Sequence, residues 1–350
     1  MEKINIFDLD YKSLTELLTT KYEQSKFRSE QIFRWVYQRN VLDFNEMTDI
    51  SKSFREILIR DFYFGLPKLV LKKVSEDNTI KVLIELADGN TVESVIMYYR
   101  YGQAACISSQ IGCAMGCKFC ATGTISKIRS LTTAEMIGQL YILNEILKNE
   151  ELRVTHIVIM GMGEPFDNYE NVMSFIRIAN DYRAYEIGAR HITVSTCGIP
   201  SKMEQYASEG LQTNLALSLH APNDEIRSSL MPINKAYPIA TLMEAVRTYN
   251  RTTKRRVTLE YILIEGVNDQ LEHAKELYHL IQRLNVSVNL IPYNPTSHAD
   301  YGRSSSKSIH KFFDFLQSKN VNCTIRKEFG NDIDASCGQL KARYDNNEEV

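Results

Sequence analysis

The part of this sequence best suited to chemistry is a group of three cysteines, Cys113, Cys117 and Cys120, at a C-x3-C-x2-C spacing with Phe119 before the last. Three thiolates this close together can hold three irons of a four-iron cluster and leave the fourth iron open for a reaction. A structural zinc site normally needs four ligands, usually in two separated pairs. No second pair of residues with the spacing of metal ligands occurs elsewhere in the sequence. A chance grouping is uncommon among only seven cysteines in 350 residues. The remaining cysteines are isolated: Cys106, Cys197, Cys323 and Cys337.

Composition and charge indicate a cytoplasmic protein with room for more than one domain. A chain of 350 residues can form an α/β domain and a smaller appended one. It has no apolar run of membrane-spanning length, and its polar start lacks the apolar core of a signal peptide. Seven cysteines, an odd number, do not suggest a secreted disulfide framework. Because the net charge is −2, any contact with nucleic acid must come from local basic patches.

The apolar pattern divides the chain into three parts. Residues 1–65 have helical spacing and predict a small N-terminal helical domain, with helices at 11–22, 29–38 and 54–64. Residues 66–102 alternate with a period of two and predict a β-ribbon, with strands at 69–71, 80–86 and 91–98. Asp88-Gly89 is a strong signal for the turn between the last two strands. Residues 103–342 make up the core, which ends in a C-terminal loop.

Strand-like and helix-like runs alternate through the core and predict an α/β fold. The predicted strands are 104–109, 154–160, 191–196, 213–219, 257–264, 286–291 and 322–326. The predicted helices include 132–147, which opens with a Thr132-x-x-Glu135 capping box, 238–249 and 270–284. Six such βα units form a parallel sheet covered by helices. The alternation alone leaves open whether the sheet curls into a partial barrel or is open and doubly wound.

Polar and glycine residues follow several of these strands. Ligands of a parallel α/β sheet bind at the carboxyl ends of its strands. Those ends have the sequences Gly161-Met-Gly163-Glu164-Pro165, Ser195-Thr196, Ser218-Leu219-His220 and Pro292-Tyr-Asn294-Pro295. Gly163 lets the backbone approach a ligand closely, although a strand-to-helix turn also requires glycine and proline. His220 is equally consistent with a core histidine and with one that contacts a ligand.

The cysteine spacing resembles the signature of the radical S-adenosylmethionine (SAM) superfamily. The resemblance implies that Cys113, Cys117 and Cys120 hold a [4Fe-4S] cluster, whose open iron binds SAM through its amino and carboxylate groups. An electron from the cluster then cleaves SAM to a 5′-deoxyadenosyl radical. The resemblance also implies a partial (β/α)6 barrel, in which Glu164 takes the SAM amino group. The other expected SAM contacts are Gly163, Ser195, Ser218, Leu219, His220 and Asn294.

Further segments, spread over residues 89–340, resemble one subgroup, the RlmN/Cfr family of RNA adenine methyltransferases. The main ones are Cys106-Ile-Ser-Ser-Gln-Ile-Gly-Cys113, Met160-Gly-Met-Gly-Glu-Pro165, Leu217-Ser-Leu-His-Ala-Pro222, Met231-Pro-Ile-Asn234, Gly266-Val-Asn-Asp269 and Asp332-Ile-Asp-Ala-Ser-Cys337-Gly-Gln-Leu340. The N-terminal helices resemble the accessory RNA-binding domain of this family. The implied substrates are 23S rRNA and tRNA. We also expect a monomer without a membrane partner, reduced by a donor such as flavodoxin or ferredoxin.

The chemistry of this family requires cysteines outside the cluster loop. An adenine carbon between two nitrogens is electron-poor, so it does not attack a SAM methyl group as a nucleophile. In the family, a cysteine matching Cys337 first receives a methyl group from one SAM. A radical from a second SAM removes a hydrogen from this S-methyl group, and the resulting thiomethylene radical adds to the base. A base matching Glu93 removes the ring proton, and a thiol matching Cys106 attacks the sulfur, which leaves a Cys106–Cys337 disulfide.

Each of these residues also has a purely structural interpretation. By residue type alone, Cys106 and Cys337 would be packing cysteines, as we predict Cys197 and Cys323 to be. Glu93 lies on an alternating strand, where a carboxylate ordinarily faces solvent. Two basic groups either bind RNA phosphates or interact with solvent and helix ends: Lys118, Lys127 and Arg129, and Arg251, Lys254, Arg255 and Arg256.

Several functions remain open at this point. Gly163-Glu164-Pro165 favours methylation of carbon 2, because the carbon-8, resistance-type enzyme of the family typically has alanine in place of the proline. A different radical SAM reaction would keep the cluster but would not need Cys106 and Cys337 as a pair. A metal-dependent RNA-binding module would not be an enzyme at all. A ring carbon must be unstacked to react, so the expected substrate is a loop or partly unfolded RNA.

Overall fold

The computed structural model of the protein describes residues 2–295 and 299–333. Its N-terminal part contains three helices: α1, Tyr11–Thr20; α2, Lys26–Tyr37; and α3, Lys52–Asp61. Two short parallel strands, β1 (Ile4–Asn5) and β2 (Phe62–Tyr63), join the two ends of this part. The Asp10 carboxylate caps α1 by accepting a hydrogen bond from the Ser13 amide at 2.8 Å. The three predicted helices are confirmed, with ends shifted by a few residues.

The strands predicted as a ribbon are one edge of the main sheet. They are β3 (Lys68–Val74), β4 (Ile80–Glu85) and β5 (Thr91–Tyr99), which pair in antiparallel fashion. The turn at Asp88-Gly89 is confirmed, and Gly89 has a φ of 80°, where a side chain would be strained. Because β5 also pairs with β6 (Gly102–Cys106), these strands continue directly into the core. A short pair, β7 (Gln110–Ile111) and β8 (Arg129–Ser130), follows β6.

Seven parallel strands lie side by side in the same order as in the sequence. They are β6, β9 (Val154–Ile159), β10 (Ile192–Thr196), β11 (Asn214–Ser218), β12 (Val257–Leu263), β13 (Val286–Pro292) and β14 (Cys323–Ile325). A doubly wound sheet reverses its order part of the way across, whereas here each strand is added on the same side of the previous one. Right-handed crossovers therefore place all the helices on one face. The strand order confirms the partial (β/α)6 barrel and excludes the doubly wound alternative.

Helices cover the outer face of this sheet. They are α4 (Thr133–Lys148), α5 (Tyr169–Asn180), α6 (Pro200–Ser208), α7 (Asp224–Leu230), α8 (Ile239–Thr253), α9 (Leu271–Ile281) and α10 (Ser306–Ser318). The predicted capping box at the start of α4 is confirmed, since Thr132 and Glu135 exchange both hydrogen bonds. Alternate strand residues, such as Ile157 and Ile159 on β9, are buried in the core that these helices share. The residues between them face the inside of the barrel.

The N-terminal helices pack against the barrel and share its apolar core. The Asp8 carboxylate accepts a hydrogen bond from the Ala134 amide in the first turn of α4, at 2.8 Å. The Arg183 guanidinium lies 3.2 Å from the centre of the Tyr11 ring, which ties α1 to the segment that follows α5. Among the described helices, none combines the length and the apolar character needed to cross a bilayer.

Candidate active site

The three cysteines of the motif lie on the loop between β7 and β8, beyond the carboxyl end of β6. The Cys113 amide donates to the Ile125 carbonyl at 3.0 Å, and the Cys120 amide donates to the Cys117 carbonyl at 3.2 Å. Gly123 is needed for this close turn, because a β-carbon there would lie 2.4 Å from the Cys117 carbonyl oxygen. The fold therefore holds the three thiols on one compact loop.

The chemistry of these thiols suits a bound metal cluster. Burial is the main reason why the pKa of Cys113 rises to about 11 and why the pKa of Cys117 is also raised. A metal cation offsets the cost of burying a charged thiolate, because it stabilises the thiolate form. Within residues 2–295 and 299–333, no three His, Cys, Asp or Glu side chains are placed as ligands of a single ion. A four-iron cluster instead takes one thiolate on each of three irons, so the donor set fits that cluster better than it fits one zinc.

Gly163 and Glu164 lie just after β9, at the same edge of the sheet. Gly163 has a φ of +101°, and a β-carbon there would lie 2.5 Å from the β-carbon of Gln110. The Glu164 carboxylate is 4 % exposed and accepts hydrogen bonds from the Phe166 amide at 3.0 Å and the Cys197 amide at 2.8 Å. Burial raises the pKa of Glu164. The ammonium group of a ligand would offset the cost of burying the charged carboxylate, and the SAM amino group is the ammonium expected here.

Arg227, which the sequence analysis missed, ties together the strand ends beside this carboxylate. This buried guanidinium donates to the carbonyls of Cys197 at 2.7 Å and Ser218 at 3.2 Å, and to the Asn234 side chain at 2.9 Å. It thereby fixes the ends of β10 and β11, which carry Ser195 and Ser218 on the inner face. The sequence did contain a signal for Arg227, because this arginine lies midway between two segments that resemble the family, Leu217-Ser-Leu-His-Ala-Pro222 and Met231-Pro-Ile-Asn234.

His220 is buried beside the cysteine loop and is held in a fixed orientation. Its backbone is left-handed, with a φ of 58°, and its ring lies 4.8 Å from the ring of Phe119, edge to face. The Ile262 amide donates to Nδ1 at 3.0 Å, and burial lowers the pKa of His220 to about 3. The ring is therefore neutral, with its proton on Nε2. Leu219 is buried next to it, and Asn294 is the second residue after β13 at the same edge.

Glu93 does not face solvent, contrary to the ordinary expectation for a carboxylate on an alternating strand. It is 3 % exposed and forms an ion pair of 3.0 Å with Lys81 on β4, which is itself fully buried. Cys106 on β6 lies opposite Val95 on β5, so it is a diagonal neighbour of Glu93, with a spacing of about 7–8 Å. The sheet therefore places two of the predicted catalytic residues on the same face. Lys81 was missed, although a lysine within the apolar run 80–84 was a usable signal.

We predict that Lys81→Met lowers the free energy of unfolding by about 3–5 kcal/mol, because it removes the buried cation paired with Glu93. The double variant Lys81→Met, Glu93→Gln should recover most of this loss. Urea denaturation under anaerobic conditions, followed by circular dichroism, measures both. Lys72→Met, at an exposed position of β3, is the control and should change stability by less than about 0.5 kcal/mol. A double variant no more stable than Lys81→Met would contradict the pairing argument.

Cys106 is 7 % exposed and packs on the inner face with Val95 and Met97. Phe329 also packs against this group, so the chain returns to the inner face that carries Cys106 shortly before its C-terminal segment. The turn after β3 holds this segment: the Gly330 amide donates to Asp77 and the Glu76 amide donates to Asp332, both at 3.1 Å. Cys337 lies outside the described residues, so its predicted role and its pairing with Cys106 remain predictions.

The other cysteines and several basic residues have structural roles. Cys197 and Cys323 are buried, as predicted for packing cysteines. Lys127 forms an ion pair of 2.6 Å with Asp167, and Arg129 bridges Asp88 and Glu135. Arg255 donates to Asn214 at 2.8 Å. These contacts favour a structural role over phosphate binding for these three basic residues.

Comparison with known proteins identifies related sequences over the whole chain. The model of the Radical SAM superfamily matches residues 107–281, and that of the ribosomal RNA large subunit methyltransferase N-terminal domain matches residues 4–63. A probable dual-specificity RNA methyltransferase RlmN from Spiroplasma citri is 52% identical over 319 residues, which are 91% of this chain and 92% of that protein. The protein of the same description from Enterococcus faecalis is 46% identical over 355 residues, with 100% and 99% covered.

A solved structure supports the same relationship. The crystal structure of a radical SAM methyltransferase from Sphaerobacter thermophilus matches this fold with a TM-score of 0.89 and 42% identity. The match covers 96% of this chain and 98% of that one. The likeness therefore includes the N-terminal helices and the antiparallel strands as well as the barrel.

Proposed function

The chain belongs to the RlmN family of radical SAM RNA methyltransferases, and we propose that it methylates carbon 2 of an adenosine at the peptidyl-transferase centre of 23S rRNA. We propose the adenosine 3′ to the anticodon of tRNAs as a second substrate. The observation that carries the proposal is that Glu93 and Cys106 lie on the same inner face of the barrel. The cysteine loop lies next to this face, at the carboxyl ends of the strands. The relatives named dual-specificity RNA methyltransferases support the two RNA substrates.

Cofactor binding is assigned to the carboxyl edge of the sheet. Cys113, Cys117 and Cys120 would hold the [4Fe-4S] cluster, which when bound supplies the electron that cleaves SAM. Glu164 would accept hydrogen bonds from the SAM amino group, because its buried carboxylate lies where a cation is favoured. Gly163, which has no side chain and so passes close to Gln110, would contact the SAM molecule through its backbone. The SAM molecule would also contact Ser195, Ser218, Leu219, His220 and Asn294. Because His220 is neutral, it would act by packing and hydrogen bonding and would not supply charge.

The methyl group would pass through a cysteine of the enzyme. Cys337 would accept it from one SAM, and the radical made from a second SAM would activate it for addition to the base. Two SAM molecules are thus used in each turnover. Glu93 would then remove the ring proton, while one electron would return from the adduct to the oxidised cluster. The Cys106 thiolate would attack the Cys337 sulfur, which forms a Cys106–Cys337 disulfide and breaks the bond from that sulfur to the methylene carbon, and this carbon would take up a proton to become the methyl group of the released product. The close positions of Glu93 and Cys106 support this division of roles.

The remaining assignments concern the roles of the three parts of the chain and the partners of the enzyme. We propose that residues 1–65 act as an accessory RNA-binding domain, that residues 66–102 extend the sheet, and that residues 103–342 form the catalytic core. The enzyme would act as a monomer in the cytoplasm, where its RNA substrates are, and would receive electrons from a protein such as flavodoxin or ferredoxin. Carbon 2 is favoured over carbon 8 by Gly163-Glu164-Pro165, in which Pro165 is buried at the start of a 3-10 helix.

The product of the reaction is the direct test of this function. We expect 23S rRNA from a strain lacking this gene to lose 2-methyladenosine, and plasmid-borne wild-type protein to restore it. Mass spectrometry of nucleosides from purified 23S rRNA and tRNA measures this. Loss of 8-methyladenosine instead would assign the carbon-8 reaction, and unchanged RNA would refute the methyltransferase assignment. A purified protein that binds one zinc and makes no 5′-deoxyadenosine would indicate the non-enzymatic module.

A further inference from the structure

Five aromatic rings form a continuous row at the amino-terminal edge of the parallel strands, opposite the cysteine loop. Phe329 contacts Tyr99 at a centroid distance of 4.7 Å, and Tyr99 stacks on Tyr101 at 4.8 Å. Tyr101 contacts His156 edge to face at 4.9 Å, and His156 stacks on His191 at 4.2 Å. We call these five residues the aromatic row. They come from the end of β5 and the turn after it, the first half of β9, the residue before β10, and the segment after β14.

The aromatic row leads from solvent to the inside of the barrel. At its outer part, Tyr101 is 64% exposed and His191 is also exposed. At its inner end, Phe329 and Tyr99 pack against the group that contains Cys106. β6 has five residues, so its start at the row and its end at Cys106 are roughly 13 Å apart at a rise of 3.3 Å per residue.

The surroundings of the aromatic row carry positive charge. Arg100 lies between the two tyrosines in the sequence, Arg190 directly precedes His191, and both are exposed. The Lys327 ammonium lies 4.6 Å from the centre of the Phe329 ring. The nearby carboxylate of Glu328 forms an ion pair of 2.6 Å with Arg303. A surface of exposed aromatic rings with arginine and lysine beside them matches unpaired nucleic acid, whose bases stack and whose phosphates are negative.

We propose that the aromatic row is a stacking surface for the unpaired nucleotides next to the target adenosine in the substrate RNA. This inference rests on the proposed function and specifies how that substrate approaches. The bases beside the target stack on Tyr101 and His191, while the phosphates between them contact Arg100 and Arg190. The target nucleotide then enters the barrel at its amino-terminal edge and approaches Cys106 and Glu93 from the side opposite the cluster loop. The surface selects single-stranded loops, because paired bases have no free face to stack.

The test is the affinity of the anaerobic holoenzyme for an RNA hairpin with the target adenosine in an unpaired loop, measured by fluorescence anisotropy. We expect Tyr101→Ala to raise Kd by about 5- to 100-fold, the range observed when an aromatic that stacks on a base is removed. Tyr101→Phe keeps the ring and should bind within about twofold of wild type, since stacking does not need the hydroxyl. Tyr182→Ala removes a tyrosine that is 56% exposed outside the row and should also be nearly unchanged.

A second variant tests the charges independently of the rings. Arg100→Gln should weaken binding and reduce the slope of log Kd against log salt by about 1, as expected for one lost phosphate contact. Cluster content and production of 5′-deoxyadenosine from SAM in the absence of RNA should match wild type in each variant. These readouts separate a loss of RNA binding from a damaged cofactor site.

Three results would overturn the inference while leaving the proposed function intact. The first is an unchanged Kd for Tyr101→Ala in a preparation whose wild type methylates RNA. The second is an equal loss of affinity in Tyr182→Ala. The third is a Tyr101→Ala enzyme that binds RNA normally and is slowed only with flavodoxin as the reductant, which would assign the surface to a protein partner. A wild-type enzyme that binds no RNA would instead refute the proposed function itself.

Discussion

Cys117→Ala is expected to lose the iron–sulfur cluster and, with it, all RNA methylation. Three thiolates on one loop are the only protein ligands that the proposed cluster has, so two cannot hold it and still leave one iron open for SAM. Burial raises the pKa of Cys113, so its thiolate form is favoured only with a bound cation beside it. Iron and sulfide content, visible absorbance and 5′-deoxyadenosine production measure the loss. Cys113→Ala and Cys120→Ala should behave in the same way.

Matched controls for this prediction lie elsewhere in the chain. Cys197→Ala and Cys323→Ala also remove buried cysteines, but neither residue is on the cluster loop. Cys323→Ala is the cleaner control, because the Cys197 backbone contacts both Glu164 and Arg227. Cys323→Ala should keep its cluster and its activity at a cost of about 1 kcal/mol in stability. Wild-type turnover by Cys117→Ala would contradict the radical SAM assignment of these thiols.

Cys106→Ala is expected to accumulate a covalent protein–RNA adduct in place of methylated RNA. In the proposed sequence, Cys106 acts only after the base has been joined to Cys337, so methylation of Cys337, SAM cleavage and radical addition still proceed. Without a thiol to attack the Cys337 sulfur, the reaction stops at the adduct. The species should survive a denaturing gel and disappear on treatment with RNase. The position of Cys106 on the same face as Glu93 makes this role geometrically consistent.

A packing role for Cys106 gives a different result. If this buried side chain only packs against Val95 and Met97, Cys106→Ala lowers stability by about 1 kcal/mol and releases methylated RNA normally. The double variant Cys106→Ala, Cys337→Ala should form no adduct, which identifies Cys337 as the point of attachment. Normal turnover by Cys106→Ala without a crosslinked species would rule out the paired-cysteine mechanism for this chain.

Local features were predictable because the residues that make them are close in sequence. The cysteine loop spans eight residues, and the Thr132–Glu135 capping box and the Asp88-Gly89 turn depend on a few neighbouring side chains. Apolar periodicity also gave the predicted strands and the helices α1 to α4, α8 and α9 within a few residues, whereas α5, α6, α7 and α10 were not predicted. The family resemblance then supplied the expected roles of Glu93, Cys106 and Cys337, which composition and spacing alone would have left as a surface carboxylate and two packing cysteines.

The sequence by itself thus determined the cluster motif, the alternating βα elements and the family. The alternation of elements left the winding of the sheet open, the family resemblance implied a partial barrel, and the strand order confirmed it. Tertiary structure alone decided the burial of Glu93 against Lys81, the anchoring role of Arg227 and the assembly of the aromatic row. Each of these depends on which strands are neighbours and in which register they pair, and a shift of one residue would turn every side chain of a strand to the opposite face. That register is set by burial of the whole core, which involves residues far apart in the chain, and no local pattern encodes it.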